Sequence, residues 1–168
     1  LTCHQRGFPQ WKQDIAAFVP GGTLPVGLGV AGAANGLFSL DACLSSGVQT
    51  AVALLEDIDI QAKAIKMPKA EDAQINLMPF WHVGYGKKRV WVDQQNDVTV
   101  KDIKLAHQEN FRSVEHLKRY TTLGMATDQG KTSNISGLAI MAEVSGKSIP
   151  DVGTTIFRPP YTLSLIHI

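Results

Sequence analysis

Cysteine, net charge and long apolar runs are all scarce in this sequence. The 168 residues include two cysteines, Cys3 and Cys43, which is too few for a disulfide framework or a site of four thiolates. The 16 basic and 15 acidic residues leave a formal charge of +1 and form no polybasic patch, which argues against a nucleic-acid partner. The longest apolar stretches are far shorter than the roughly 20 residues of a membrane-spanning helix. These scarcities predict a globular, cytoplasmic protein without a membrane partner.

Motifs for metal binding and catalysis are lacking as well. None of the ligand spacings typical of zinc sites connects the five histidines, and no G-x-S-x-G or Cys-His pattern marks a nucleophile. We therefore predict no metal site and assign no catalytic residue. The first residue is Leu1 and no signal-peptide pattern follows it, which indicates a piece cut from a longer protein.

Small and apolar residues dominate the first third of the chain. The run over residues 25–36 predicts a strand that ends in a glycine-rich turn. Ser39 then precedes apolar residues at helical spacing and predicts an N-cap. A strand, a turn and an amphipathic helix form half of an α/β unit, so residues 1–58 are predicted to be the C-terminal part of a Rossmann-like nucleotide-binding domain.

A formal dinucleotide fingerprint, G-x-G-x-x-G, spans Gly27 to Gly32. Because the apolar run continues through its middle, we place the turn later, at residues 32–36. Two interpretations stay open, a contact with the dinucleotide NAD or a plain strand-to-helix corner. On the first, the cofactor-binding residues are Gly32, Ala33, Ala34, Gly36, Leu40 and Ala42.

The rest of the chain is predicted to form a connector and a small helical module. Residues 59–79 are polar and weakly periodic, as in a connector. Residues 80–149 contain a short alternating strand at 89–93 and three helix starts. These starts are a capping box of Thr99 with Asp102, a cap at Ser113 and a cap at Thr132 or Ser133. Gly146 should end the last helix.

A loop rich in hydroxyl groups precedes the last of these helices. Hydroxyls, amides and a lysine near two glycines and a helix start suit a phosphate or the polar edge of a flavin. A solvated loop with a Ser or Thr cap is the alternative, and the P-loop spacing is incomplete. The candidate cofactor-binding residues are Thr121, Thr122, Gln129, Lys131, Thr132 and Ser133.

Three stretches resemble one known family. LTCHQRGFPQW with VAGAANGLFSLDACLSSG, VDQQNDVTVKDIKLA with FRSVEHLKRYTTLGMATDQGKTSN, and GTTIFRPPYT are similar to successive parts of the alpha subunit of bacterial heterotetrameric sarcosine oxidases. The resemblance identifies the chain as an internal fragment of such a subunit. It implies that residues 150–162 start a folate-binding, aminomethyltransferase-like domain. Residues 163–168 depart from the family pattern and are predicted to be a foreign tail.

The resemblance also implies function and partners. The complete enzyme oxidatively demethylates sarcosine, with electrons passing from FAD to FMN and then to oxygen, and the one-carbon unit passing to tetrahydrofolate. NAD binds the alpha subunit, FMN lies at its interface with the beta subunit, and gamma and delta subunits complete the heterotetramer. Tetrahydrofolate would bind in a C-terminal domain that this chain lacks. The fragment alone is expected to be inactive.

The helical module further resembles the iron-sulfur fold of bacterioferritin-associated ferredoxin. Where that fold has its four cysteines, this sequence has Asp93, Gln95, Asp128 and Ser133. Oxygen ligands and an amide are unsuited to a [2Fe-2S] cluster, so the module is expected to carry none. A different class of function stays open, a non-catalytic module that docks subunits in a related amine or opine dehydrogenase complex.

Overall fold

The computed structural model describes residues 2, 5–63, 65–67, 69–72 and 75–156. The chain divides into an N-terminal unit, Thr2–Met78, and a C-terminal unit that begins at Pro79, and each is described by itself. The predicted foreign tail, 163–168, and residues 157–162 of the predicted folate-domain entry lie outside the described residues.

The N-terminal unit begins with a β-hairpin. Strands β1 (Pro9–Lys12) and β2 (Ala17–Pro20) pair antiparallel, with Gln10 opposite Val19. The rings of Trp11 and Phe18, cross-strand neighbours, meet edge to face with centroids 5.0 Å apart. No sequence prediction covered this hairpin, because its connection lacks the Asn-Gly signal and places Ala16 at φ +47°.

The strand predicted within residues 25–36 is wrong. Residues 25–31 form turn and loop, and Val26 near their start is fully exposed. Pro25 has no N–H to give to a sheet, and Gly27 adopts φ +79°, which a regular strand excludes. The turn predicted at residues 32–36 is confirmed: a 3-10 helix covers Gly32–Asn35, and left-handed Gly36 ends it.

One long helix follows this turn. Helix α1 spans Leu40–Glu56, and the predicted N-cap is confirmed, since Ser39 Oγ accepts from Ala42 N at 3.3 Å. Its apolar positions are at most half-buried, and Ser46 is its buried residue. The described residues of 57–78 form neither helix nor strand. A hairpin and one helix do not establish a Rossmann-like domain, which stays a prediction.

The C-terminal unit combines a small hairpin with four helices over its described residues. Strands β3 (Trp91–Asp93) and β4 (Val98–Thr99) pair antiparallel. The helices are α2 (Val100–Gln108), α3 (Val114–Thr121), α4 (Asn134–Ser145) and α5 (Ile149–Val152).

The predicted helix signals of the C-terminal unit hold with one exception. The capping box of Thr99 and Asp102, the Ser113 cap and the Gly146 terminus are confirmed. Ser133 occupies the N-cap position of α4, but its side chain makes no cap hydrogen bond. Its hydroxyl instead donates to Asp93, because that carboxylate is buried beside it and offers a charged acceptor.

The core of this unit lies among α2, α3 and α4. Ile103, Leu117, Ile140 and Met141 are fully buried there, and α2 packs against both α3 and α4. Among the described residues, no helix is long and apolar enough to cross a membrane. The likeness to the ferredoxin-type fold stays a prediction. The core supports the loop between α3 and α4.

Candidate functional site

The turn at residues 32–36 is held from two sides. Lys12 Nζ of the hairpin donates to Asn35 O at 3.1 Å, and Gly32 N donates to Ser46 Oγ of α1 at 3.3 Å. Gly36 lies so close to the hairpin that an added Cβ would come within 2.7 Å of Ile15 Cδ1. The turn therefore has a fixed backbone, and Lys12 is a supporting residue that the sequence analysis missed.

The outer side of this turn presents small residues. Ala33 and Ala34 are exposed, Leu40 is 63% exposed, and Ala42 is half-buried with its N–H already used by the Ser39 cap. A planar ligand could approach the two alanines closely. Asp41 in the first turn of α1 offsets the positive end of the helix dipole, so this end of the helix is a weak phosphate site.

The polar loop, residues 121–134, bends through left-handed backbone at four places. Thr122 has φ +63°, Gly124 +67°, Gln129 +54° and Gly130 +75°. A β-branched threonine rarely adopts such a φ, which indicates that the surrounding contacts fix the loop.

Most hydroxyls of the polar loop donate within the chain. Thr121 Oγ1 donates to Leu117 O at 2.7 Å, Thr122 Oγ1 to Thr121 O at 2.5 Å, and Thr132 Oγ1 to Asp128 Oδ2 at 2.7 Å. Ser133 is 1% exposed and cannot reach a surface ligand. Of the six candidates, Thr122, Lys131 and Thr132 are exposed, and Thr121 and Gln129 are half-buried.

Asp128 places a negative charge inside the polar loop. The hydrogen bond from the Thr132 hydroxyl lowers its pKa below the ordinary value, and the Gly130 N–H, donating to Oδ1 at 3.0 Å, acts the same way. A neighbouring carboxylate disfavours a phosphate. The loop is therefore better suited to the uncharged polar edge of a ring system, with Lys131 as the adjacent cation.

The four residues at the positions of the ferredoxin's cluster cysteines, Asp93, Gln95, Asp128 and Ser133, lie together. Ser133 Oγ donates to Asp93 Oδ2 at 3.3 Å, and Asp128 N donates to Gln95 Oε1 at 3.3 Å. Within the described part of the chain, no group of three or more His, Cys, Asp or Glu side chains could hold a metal ion. Hydrogen bonds connect the strand β3 region to the polar loop at this place.

Asn134 fills the inside of the polar loop. A Cβ added at Gly124 or at Gly130 would overlap its side-chain amide, so both glycines pack directly on it. Its Nδ2 donates to Thr155 Oγ1 at 3.4 Å, and both residues are buried. Asn134 thus ties the loop to the chain that follows α5.

A cavity of about 370 Å³ opens between α3 and the polar loop. Gln129 is the one candidate among its described lining residues, which also include Lys118, Arg119 and Met125. Glu115 stands at the same cavity, where Oε1 accepts from Ile156 N at 2.7 Å and Oε2 from Arg119 Nη1 at 2.6 Å.

Glu115 should make the C-terminal unit sensitive to acid. Burial alone would raise its pKa, but the Ile156 N–H and the Arg119 guanidinium outweigh burial and hold the pKa below the ordinary 4.5. A lowered pKa contributes stability that is present above the unfolded value and is lost as the pH falls through the folded value. We expect Glu115→Gln to be less stable than the native chain at pH 7, with the difference closing as the pH falls below the ordinary 4.5 and through the lowered pKa of Glu115. Urea unfolding at several pH values measures this, and a difference independent of pH would contradict it.

Comparison with known proteins places the chain in a family. Residues 87–168 match the family model of the Sarcosine oxidase A3 domain. The sequence is 43% identical over 164 residues to the sarcosine oxidase subunit alpha of Rhizobium meliloti (strain 1021), covering 96% of this chain and 16% of that protein. The same subunits of Corynebacterium sp. strains P-1 and U-96 are 35% and 37% identical, each over 96% of this chain and 18% of their own length. The chain belongs to the sarcosine oxidase alpha subunit family and spans less than a fifth of the length of these relatives.

Proposed function

We propose that this chain is part of an oxidoreductase subunit that acts in the oxidative demethylation of sarcosine, coupled to tetrahydrofolate and oxygen. The observation that carries the proposal is the similarity to sarcosine oxidase alpha subunits along 96% of the chain. Its partners would be the beta, gamma and delta subunits of a heterotetramer, and tetrahydrofolate would bind in a domain beyond this chain. The chain alone would be inactive, because no catalytic residue is assigned to it.

The polar loop would form the alpha-subunit side of the FMN site. Lys131 and Thr132 are adjacent and exposed, and the Thr132 oxygen can still accept a hydrogen bond while its hydroxyl donates to Asp128. A cation and polar groups of this kind suit the carbonyl edge of a flavin. FMN, when bound, would supply electron transfer between FAD and oxygen. Thr121, Thr122 and Gln129 would border this contact, whereas buried Ser133 would support it from inside.

The turn at residues 32–36 would face NAD. Gly32 and Gly36 keep the backbone tight, and the exposed Ala33 and Ala34 let a flat ring approach without obstruction. Leu40 and Ala42 at the start of α1 would complete the contact by apolar packing. Asp41 makes a pyrophosphate contact at this helix end unfavourable, so the turn would meet an uncharged part of the dinucleotide.

A crossed experiment on the assembled heterotetramer tests both assignments. Lys131→Ala combined with Thr132→Ala should lower FMN content while NAD content stays normal. Ala34→Phe should weaken NAD retention by about 1–3 kcal/mol, the usual cost of overpacking a close contact, while FMN content stays normal. Cofactors released by denaturation are quantified for each variant, so each variant serves as the control for the other.

Two results would contradict the proposal. One is full FMN occupancy in the double variant, with a normal rate of electron transfer from FAD. The polar loop would then be only a capped, solvated connection. Unchanged NAD content in Ala34→Phe would reduce the turn to a structural corner. Ala34 is exposed, so this substitution should leave the fold of the N-terminal unit intact.

The alternative, a module that only docks subunits, has support from the N-terminal unit. Phe8, Val26 and Leu40 are large apolar side chains that its described residues leave exposed. Exposed apolar surface of this kind is typical of a packing interface. Under this alternative, neither variant of the crossed experiment changes cofactor content, whereas Val26→Asp should impair assembly of the heterotetramer.

A further inference from the structure

We infer that Asp93 is a positioning residue whose buried carboxylate fixes the conformation in which the polar loop presents Lys131 and Thr132. Its consequence for FMN rests on the proposed function, but its consequence for the loop does not. Asp93 ends strand β3, far in sequence from the residues that it would control.

Both oxygens of Asp93 are fully engaged. Oδ1 accepts from Gln95 N at 2.9 Å and from Asn96 N at 3.1 Å, which forms the turn between β3 and β4. Oδ2 accepts from Gly124 N at 2.8 Å and from Ser133 Oγ at 3.3 Å. One oxygen therefore shapes its own turn, and the other joins the polar loop near its beginning and near its end.

The burial of Asp93 makes these hydrogen bonds strong. The residue is 2% exposed, so water cannot replace a lost donor. Three backbone N–H groups and one hydroxyl meet its charge, and hydrogen bonds to an ionised acceptor are roughly twice as strong as neutral ones. Because Gly124 N and Ser133 Oγ share one oxygen, the two ends of the polar loop are held at the same point.

The loop needs such an anchor because its backbone is strained. Thr122 and Gln129 have positive φ without being glycine, a state that persists only when surrounding contacts impose it. The Asp93 turn supplies a second restraint, since Asn96 Nδ2 donates to Thr122 O at 2.8 Å. Asp93 thus acts on the loop directly through Gly124 and Ser133, and indirectly through Asn96.

Asparagine at position 93 would break one of the two pairs. Asparagine keeps the shape of aspartate, but an NH2 group replaces one of the two accepting oxygens. The two groups that donated to that oxygen would then face another donor and lose their hydrogen bonds. Asp102→Asn is a matched control. Asp102 lies in the same unit and accepts two hydrogen bonds on one carboxylate oxygen, from Thr99 N at 2.8 Å and from Thr99 Oγ1 at 2.7 Å, and both of them serve the start of α2.

Hydrogen exchange on the assembled heterotetramer tests the inference, with FMN retention as the second readout. In Asp93→Asn, amides of residues 121–134 should exchange about tenfold faster or more, and FMN should dissociate about tenfold faster. Asp102→Asn should change neither. If Asp93→Asn does not assemble, Ser133→Ala, which removes one donor and keeps the carboxylate, should still accelerate exchange in the same peptide several-fold.

The outcomes distinguish the positioning role of Asp93 from the proposed flavin contact of the polar loop. Unchanged exchange of the loop amides in Asp93→Asn, or in Ser133→Ala where that variant is the one that assembles, overturns the role of Asp93. Faster exchange with unchanged FMN retention supports Asp93 as a positioning residue and overturns the proposed flavin contact of the loop. Faster exchange together with faster FMN loss supports both.

Discussion

Replacing Leu117 by alanine is expected to lower the free energy of unfolding of the C-terminal unit by about 3 kcal/mol. Leu117 lies on α3 and is fully buried among α2, α3 and α4. Its truncation removes apolar contacts and leaves a cavity that the neighbouring helices cannot fill, and both terms destabilise. Denaturant unfolding followed by circular dichroism measures the change.

Leu44→Ala is the matched control in the N-terminal unit. Leu44 also lies on a helix, α1, but it is only half-buried. The same truncation there should cost about 1 kcal/mol or less, because folding buries less of the Leu44 side chain and its removal leaves little or no cavity. Equal losses for the two variants would show that burial within the described units does not determine these energies.

Gly130→Ala should destabilise the C-terminal unit by about 2–4 kcal/mol, combining a left-handed backbone with a steric overlap. Gly130 has φ +75°, and the new Cβ would collide with the Asn134 side chain. Asn134 cannot move away without losing its hydrogen bond to Thr155. Thermal and denaturant unfolding should both report the loss.

Gly146→Ala separates the two causes. Gly146 has nearly the same backbone, with φ +64°, but no atom lies within 4 Å of an added Cβ. Only the cost of the left-handed conformation remains, about 1 kcal/mol. If Gly130→Ala were no worse than Gly146→Ala, the packing of the polar loop on Asn134 would be refuted.

The sequence predicted the helix starts well because their signals are local. A serine or threonine that caps a helix acts on residues two or three positions away, so Ser39, Ser113 and the Thr99–Asp102 pair could be recognised without knowing the fold. Gly146 is recognisable for the same reason, since an alpha helix very often ends at a left-handed glycine.

Features that depend on distant contacts were missed or misjudged. Asp93 controls Gly124 and Ser133 from 31 and 40 positions away, and no local pattern carries that information. Ser133 looked like a cap because its sequence position fits one, but a buried acceptor elsewhere in the fold takes its hydroxyl. The apolar run near Val26 looked like a strand, although hydrophobic character alone cannot say whether a segment is covered.

The candidate cofactor residues were chosen by residue type, which predicts chemistry but not accessibility. Lys131 and Thr132 are exposed, whereas Ser133 beside them is buried. The choice between these neighbours depends on how the loop packs, and that packing follows from Asn134 and its two glycines. The cofactor contacts themselves stay predictions.

The attachment of Thr155 and Ile156 has a practical consequence for recombinant work. Asn134 and Glu115 hold these two residues against the C-terminal unit, beyond the end of α5. A shortened version that stopped at Ser148 would lack α5 and would leave both the Asn134 amide and the Glu115 carboxylate without these partners. Versions intended for crystallisation should keep the chain through Ile156.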